Sequence, residues 1–199
     1  KKEILLPFVG LIKDMELNPY VIDVPAFTIQ NCYEMNYEPK PNEVHGLVHI
    51  GYETTILSFI QGTNNLFTRD VATAIKSCLQ KIPGATKDQI DRVFKGEAVN
   101  ELADDKVKEG LEQFYDELCL NVERAVPFTN REKIDKIYLS GGGSNAPGII
   151  EYFKDRFDVE VEKMNPFKNV KIKEGLFAID EIEKMSPLLV PSIGLSLRS

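Results

Sequence analysis

Residues 134–157 read IDKIYLSGGGSNAPGIIEYFKDRF, from Ile134 to Phe157. The apolar run Ile134–Leu139 predicts a strand, which stops at Ser140-Gly141-Gly142-Gly143, and Ala146–Phe157 then predicts a helix. Three successive glycines at a strand-to-helix junction let the backbone approach another backbone, or a flat or phosphorylated ligand, because no Cβ stands in the way. The N-terminus of the following helix adds free N–H donors and the positive end of its dipole. The GK[ST] ending of a P-loop is absent, and so is the GxGxxG spacing of a dinucleotide fold. Taken alone, the stretch Gly141–Asn145 serves equally as a ligand loop or as a tight turn.

A second glycine turn lies upstream. His49-Ile50-Gly51-Tyr52-Glu53-Thr54-Thr55 separates two strand-like runs, Gly46–Ile50 and Ile56–Gln61, and a third run, Leu66–Val71, follows Gly62-Thr63-Asn64-Asn65. Three antiparallel strands in a meander are predicted. The glycine brings backbone N–H groups close to a ligand, and hydroxyls such as those of Thr54 and Thr55 can bind phosphate oxygens. A plain hairpin is the alternative.

The elements around these turns complete a mixed α/β order. A helix is predicted over Ile4–Glu16, a short strand over Tyr20–Val24, and a helix over Ala26–Met35 opened by Pro25. The turn-rich stretch Glu38–Asn42 separates two lobes. Helices follow at Ala72–Lys81 and at Lys87–Lys95, the latter with a capping box between Thr86 and Gln89. The region Glu101–Ala125 carries Val107, Leu111, Phe114, Leu118 and Val122 at helical spacing, a core stripe. After Phe157 come a strand over Val159–Lys163, a turn at Asn165-Pro166-Phe167, a helix over Gly175–Met185 and a last helix over Pro187–Arg198.

Composition narrows the function. A net charge of -7 and a pI near 5.0 disfavour a phosphate-backbone binder, so no nucleic-acid partner is expected. No run is long and apolar enough to span a membrane. Cys32, Cys78 and Cys119 form neither a disulfide framework nor a metal spacing, as in a reduced, cytosolic compartment. His45 and His49 stand four apart, but in a strand that spacing makes no clamp, and no metal site is expected. No Ser-His-Asp arrangement is readable, and Glu53 has no second carboxylate for acid–base work. The chain begins at Lys1 rather than Met, as a fragment or processed product does.

The two turns, in this order, resemble the second phosphate loop and the adenosine loop of the actin, Hsp70 and sugar kinase superfamily. Within it the chain is most similar to the PilM family and more distantly to FtsA. The similarity rests on Tyr20–Phe27, Ile137–Gly143, Asn165-Pro166-Phe167 and the ending Gly194-Leu195-Ser196-Leu197-Arg198, spread over nearly the whole chain.

The resemblance implies an actin-like, ribonuclease-H-like α/β fold in part. Residues 1–41 correspond to the end of the first lobe, 42–185 to the second lobe with a helical insertion at about 76–133, and 186–199 to a closing helix returning to the first lobe. It implies ATP with Mg²⁺ in the complete protein, Gly51, Thr54 and Thr55 at the phosphates, and Gly141, Gly142, Gly143, Ser144 and Asn145 at the adenosine. A family helix with an acid and a lysine for the ribose matches Asp91–Lys95. The family's phosphate loop carries an Asp at the position of His49, so little or no hydrolysis is expected. The implied role is a cytoplasmic scaffold at the inner-membrane face, binding the tail of a PilN-like membrane protein and linking it to pilus motor ATPases. The alternatives are an ATPase or small-molecule kinase of the superfamily, and the cytoplasmic actin-like domain of a type II secretion protein.

Overall fold

A computed structural model describes residues 2–97, 99–172 and 179–198. Its centre is a five-stranded sheet built from β1 (Val44–Ile50), β2 (Thr55–Gln61), β3 (Asn64–Val71), β4 (Lys136–Ser140) and β5 (Glu160–Lys163). The strand order is β3-β2-β1-β4-β5. The first three strands form the antiparallel meander, while β4 joins β1 in parallel and β5 joins β4 in parallel. Parallel strands need a crossover, and α5 (Asp104–Ala125) and α6 (Ile149–Phe157) supply helices for the two that are required.

Side chains alternate across the strands, so each face has its own core. Val48 and Ile50 of β1 and Ile137 and Leu139 of β4 point into a large cluster. That face is covered by α3 (Ile75–Lys81), α4 (Lys87–Phe94), α5 and α6, through Cys78, Phe94, Phe114, Leu118 and Phe153 among others. The stripe read from the sequence is buried at Leu111, Phe114, Leu118 and Val122. On the opposite face Leu47 and Tyr138 pack against Ile29, Cys32 and Tyr33 of α2 (Pro25–Asn36) and Val190 of α7 (Ile179–Ser196). Helices α2 and α7 lie against each other so closely that a Cβ on Gly194 would run into the Thr28 carbonyl, 2.6 Å from its carbon.

Two sequence expectations need correction. Tyr20–Val24 forms no strand and pairs with none of the described strands, and Tyr20 is 81% exposed. The C-terminal region does not break into two helices at Pro187, because α7 runs through both Pro187 and Pro191. Of the helix expected over Gly175–Met185, residues 175–178 lie outside the described residues, and the remainder is the start of α7. Helix α1 (Lys2–Asp14) is present as expected but buries none of its residues.

Candidate functional site

The parallel pairing of β1 with β4 decides where the two glycine turns meet. His49 is the register partner of Ser140, so both strands end at one rim of the sheet, and the hairpin after Ile50 abuts the turn after Ser140. Ligands of open α/β sheets sit in the crevice outside the carboxyl ends of such strands. The hairpin closes through Gly51 N–H donating to Thr54 O at 3.0 Å. Its outer carbonyls are held by the start of α3: Ile75 N–H donates to Gly51 O at 3.1 Å and Lys76 N–H to Tyr52 O at 2.8 Å.

The three glycines of the second turn are not equivalent. Gly141 has φ 80° and ψ 170°, a region essentially reserved for glycine, and a Cβ there would strike the Ile50 carbonyl. A Cβ on Gly143 would strike the Ile50 side chain. Both are therefore demanded by the approach of the turn to β1. Gly142, half-buried, has no such reason: a Cβ would meet only the tip of Ile75, at 3.3 Å. The protein itself leaves that position nearly unconstrained.

Not every hydroxyl expected at the rim is available there. Thr55 is fully buried and donates to Thr73 O at 2.7 Å; Ser144 is also buried and donates to Gly141 O at 2.7 Å. Each has its one proton engaged inside the fold. Thr54 is exposed on the hairpin, and Asn145 is half-buried with Oδ1 accepting from Lys163 Nζ at 3.0 Å. Helix α4 packs against the Gly142–Asn145 turn, and its C-cap, Lys95, is exposed.

His49 sits between the two turns. Its Nδ1 is 3.0 Å from Oγ of the fully buried Ser140, and burial holds its pKa down at about 4, so the ring is neutral near pH 7. His45, two positions before Leu47 on the same face, belongs to a separate chain of hydrogen bonds: Nδ1 meets Tyr33 Oη at 2.6 Å and Nε2 meets Glu43 at 2.9 Å. The two imidazoles share no ligand. Among the described residues no group of three or more His, Cys, Asp or Glu side chains could hold a metal ion. Mg²⁺ takes oxygen ligands, anionic ones above all, and the neutral imidazole that stands where a carboxylate was implied does not fit it.

Three features at this rim escaped the sequence. Ser140, which the sequence places only at the start of the glycine turn, ends β4 and orients His49. Lys163 ends β5 level with Leu139, its register partner, and so reaches Asn145. The third is a backbone bond from Gly141 N–H to Pro187 O of α7 at 2.8 Å. Within a helix that carbonyl would accept from residue 191, but Pro191 has no N–H, and Gly141 takes the vacancy. A proline four residues after another in a predicted helix is the signal that could have flagged an acceptor open to an outside donor.

A family model described as type IV pilus assembly protein PilM matches residues 1–199. The chain belongs to the PilM family. It shares its fold with a chain of a PilM–PilN type IV pilus biogenesis complex, with a TM-score of 0.77 at 22% identity over 99% of this chain and 58% of that one. The same PilM-family fold superposes on MreB 5 of Spiroplasma citri bound to AMPPNP, at a TM-score of 0.65 and 16% identity, covering 96% of this chain and 62% of that one. Ethanolamine utilization protein EutJ from Carboxydothermus hydrogenoformans gives a TM-score of 0.61 at 16% identity, covering 94% and 58%. The fold is thus actin-like, and the chain spans less than two thirds of each of these proteins. No curated protein sequence matches it. None of its described helices is long and apolar enough to cross a membrane.

Proposed function

We propose that this actin-like protein of type IV pilus assembly binds ATP between lobes and acts as a cytoplasmic scaffold rather than a turnover engine. The observation that carries the proposal is the meeting of the Gly51 hairpin and the Gly141–Asn145 turn at one sheet rim, with Gly142 left without a structural reason. Adenosine would lie against Gly142 and Asn145, with α4 and its Asp91–Lys95 segment alongside, and the phosphates would approach the amides around Gly51 and Thr54. Of the expected hydroxyls, Thr55 and Ser144 support the turns from within. The nucleotide then favours one arrangement of the lobes, which is a population shift. By analogy with the PilM–PilN complex, the partner would be the tail of a PilN-like inner-membrane protein, with the pilus motor ATPases beyond it.

Titrating ATP by calorimetry into the complete polypeptide and its Gly142→Val variant tests this. Affinity should fall by more than about tenfold, the equivalent of 1.4 kcal/mol, while binding of a PilN-like tail peptide stays within about twofold. Equal ATP affinities in two proteins with matching circular dichroism would remove the nucleotide from this turn.

A further inference from the structure

The neutral His49 between the turns has a definite polarity. Ser140 Oγ is buried, and among the described residues its one side-chain hydrogen bond is to His49 Nδ1. If Nδ1 carried the ring proton, the serine hydroxyl would have to point its own proton at no acceptor inside the protein, a costly arrangement. The serine therefore donates to Nδ1, and the ring carries its proton on Nε2. No described residue meets Nε2, yet no buried side-chain nitrogen or oxygen lacks a partner, so Nε2 reaches the surface. An imidazole N–H, pinned by a serine and not sealed from solvent, stands at the head of a glycine hairpin.

We propose that His49 meets the polyphosphate directly, donating Nε2–H to a phosphate oxygen, and that nucleotide binding to this protein therefore does not require a divalent cation. The proposal rests on the nucleotide reading of the two turns and specifies its phosphate end. A carboxylate at this place repels a bare polyphosphate and needs a metal ion between them; a neutral donor attracts the oxygen without one. Two lysines flank the hairpin, one of them with its charge offset by a carboxylate. Lys76 pairs with Glu53 of the hairpin at 3.1 Å, and Lys87 Nζ stands 4.6 Å from the centre of the Tyr52 ring.

The experiment titrates ATP into the complete polypeptide, once with Mg²⁺ and once with EDTA, for wild type, His49→Asp and His49→Gln. Wild type should bind in EDTA within about threefold of its affinity in Mg²⁺, and His49→Gln, which keeps a neutral donor, should do the same. His49→Asp should lose more than about tenfold in EDTA and recover when Mg²⁺ is restored. A wild-type affinity that drops tenfold or more in EDTA overturns the inference, and this measurement needs no variant to fold. An affinity of His49→Asp that is indifferent to the metal also overturns it, because His49 then does not face the phosphates. Folded wild type that binds ATP in neither buffer removes the nucleotide reading itself.

Discussion

Alanine substituted in turn at Gly141, Gly142 and Gly143 separates what the fold requires from what a ligand requires. At Gly141 the alanine must hold φ 80° and ψ 170°, which costs about 1–3 kcal/mol. Its methyl also enters the Ile50 carbonyl, 2.8 Å from the carbon, and such overpacking adds about 1–3 kcal/mol. Gly141→Ala should therefore destabilise by about 2–6 kcal/mol, the sum of these two costs. Gly143→Ala pays only for overpacking, about 1–3 kcal/mol, against Ile50 Cβ at 2.7 Å. At Gly142 the methyl meets the movable tip of Ile75 at 3.3 Å, and the change should stay within about 0.5 kcal/mol. In a chain of this size one kcal/mol moves the midpoint of thermal unfolding by about 2–4 °C. Gly141→Ala should thus melt at least about 4 °C below wild type, and Gly142→Ala within about 2 °C of it. A melting point for Gly142→Ala as low as that of Gly141→Ala would show that the middle glycine also serves the backbone. A ligand would then not be needed to explain a glycine at that position.

Two further outcomes follow from packing and charge. Gly194→Ala forces α7 away from the Thr28 carbonyl of α2 and should lower stability by about 2 kcal/mol or more, read as a loss of about 4 °C or more in the melting temperature; an unchanged melting point would contradict the α2–α7 contact. His49 is neutral in the fold down to about pH 4, while in the unfolded chain it takes up a proton near pH 6.5. The unfolded state binds the extra proton between these values, so stability should fall as pH drops from 6.5 to 4, by at most about 3 kcal/mol from this group. His49→Gln should flatten that slope in denaturant titrations across the window, and an identical slope would mean that the ring is not held neutral.

The strands that build the site could be read from the sequence because their signals are local. The strand-like runs of β1 and β2, the glycines that end β1 and β4, and the Thr86–Gln89 capping box need no knowledge of distant residues. In the box, Thr86 N–H donates to Gln89 Oε1 at 2.8 Å and Gln89 N–H to Thr86 Oγ1 at 3.3 Å. The errors arise where a distant partner decides. Tyr20–Val24 has the apolar composition of a strand, but strand preference expresses packing on a half-buried surface, and none of the described strands pairs with it. Locally, Pro187 marks a break between two helices, yet the backbone group that Pro191 leaves over is satisfied by a glycine on another element. Whether Thr55 and Ser144 face a ligand or the interior depends on which carbonyls, Thr73 O and Gly141 O, the completed fold sets beside them.

The pairing of α2 with α7 has a consequence in time. Asn31 Nδ2 reaches Gly194 O, a contact that joins residues 163 positions apart. At a synthesis rate of about 5–20 residues per second, α2 leaves the ribosome roughly 8–33 s before the residue it must meet. During that interval Ile29, Cys32 and Tyr33 can settle on β1 once the meander has emerged, but the layer over that face stays open until the end of α7 is made. Closing it is a late, non-local event, of the kind that slows folding and leaves apolar surface exposed to other chains. A nascent chain stalled before Gly194 should therefore leave uncovered the side of α2, around Thr28 and Asn31, that the end of α7 closes.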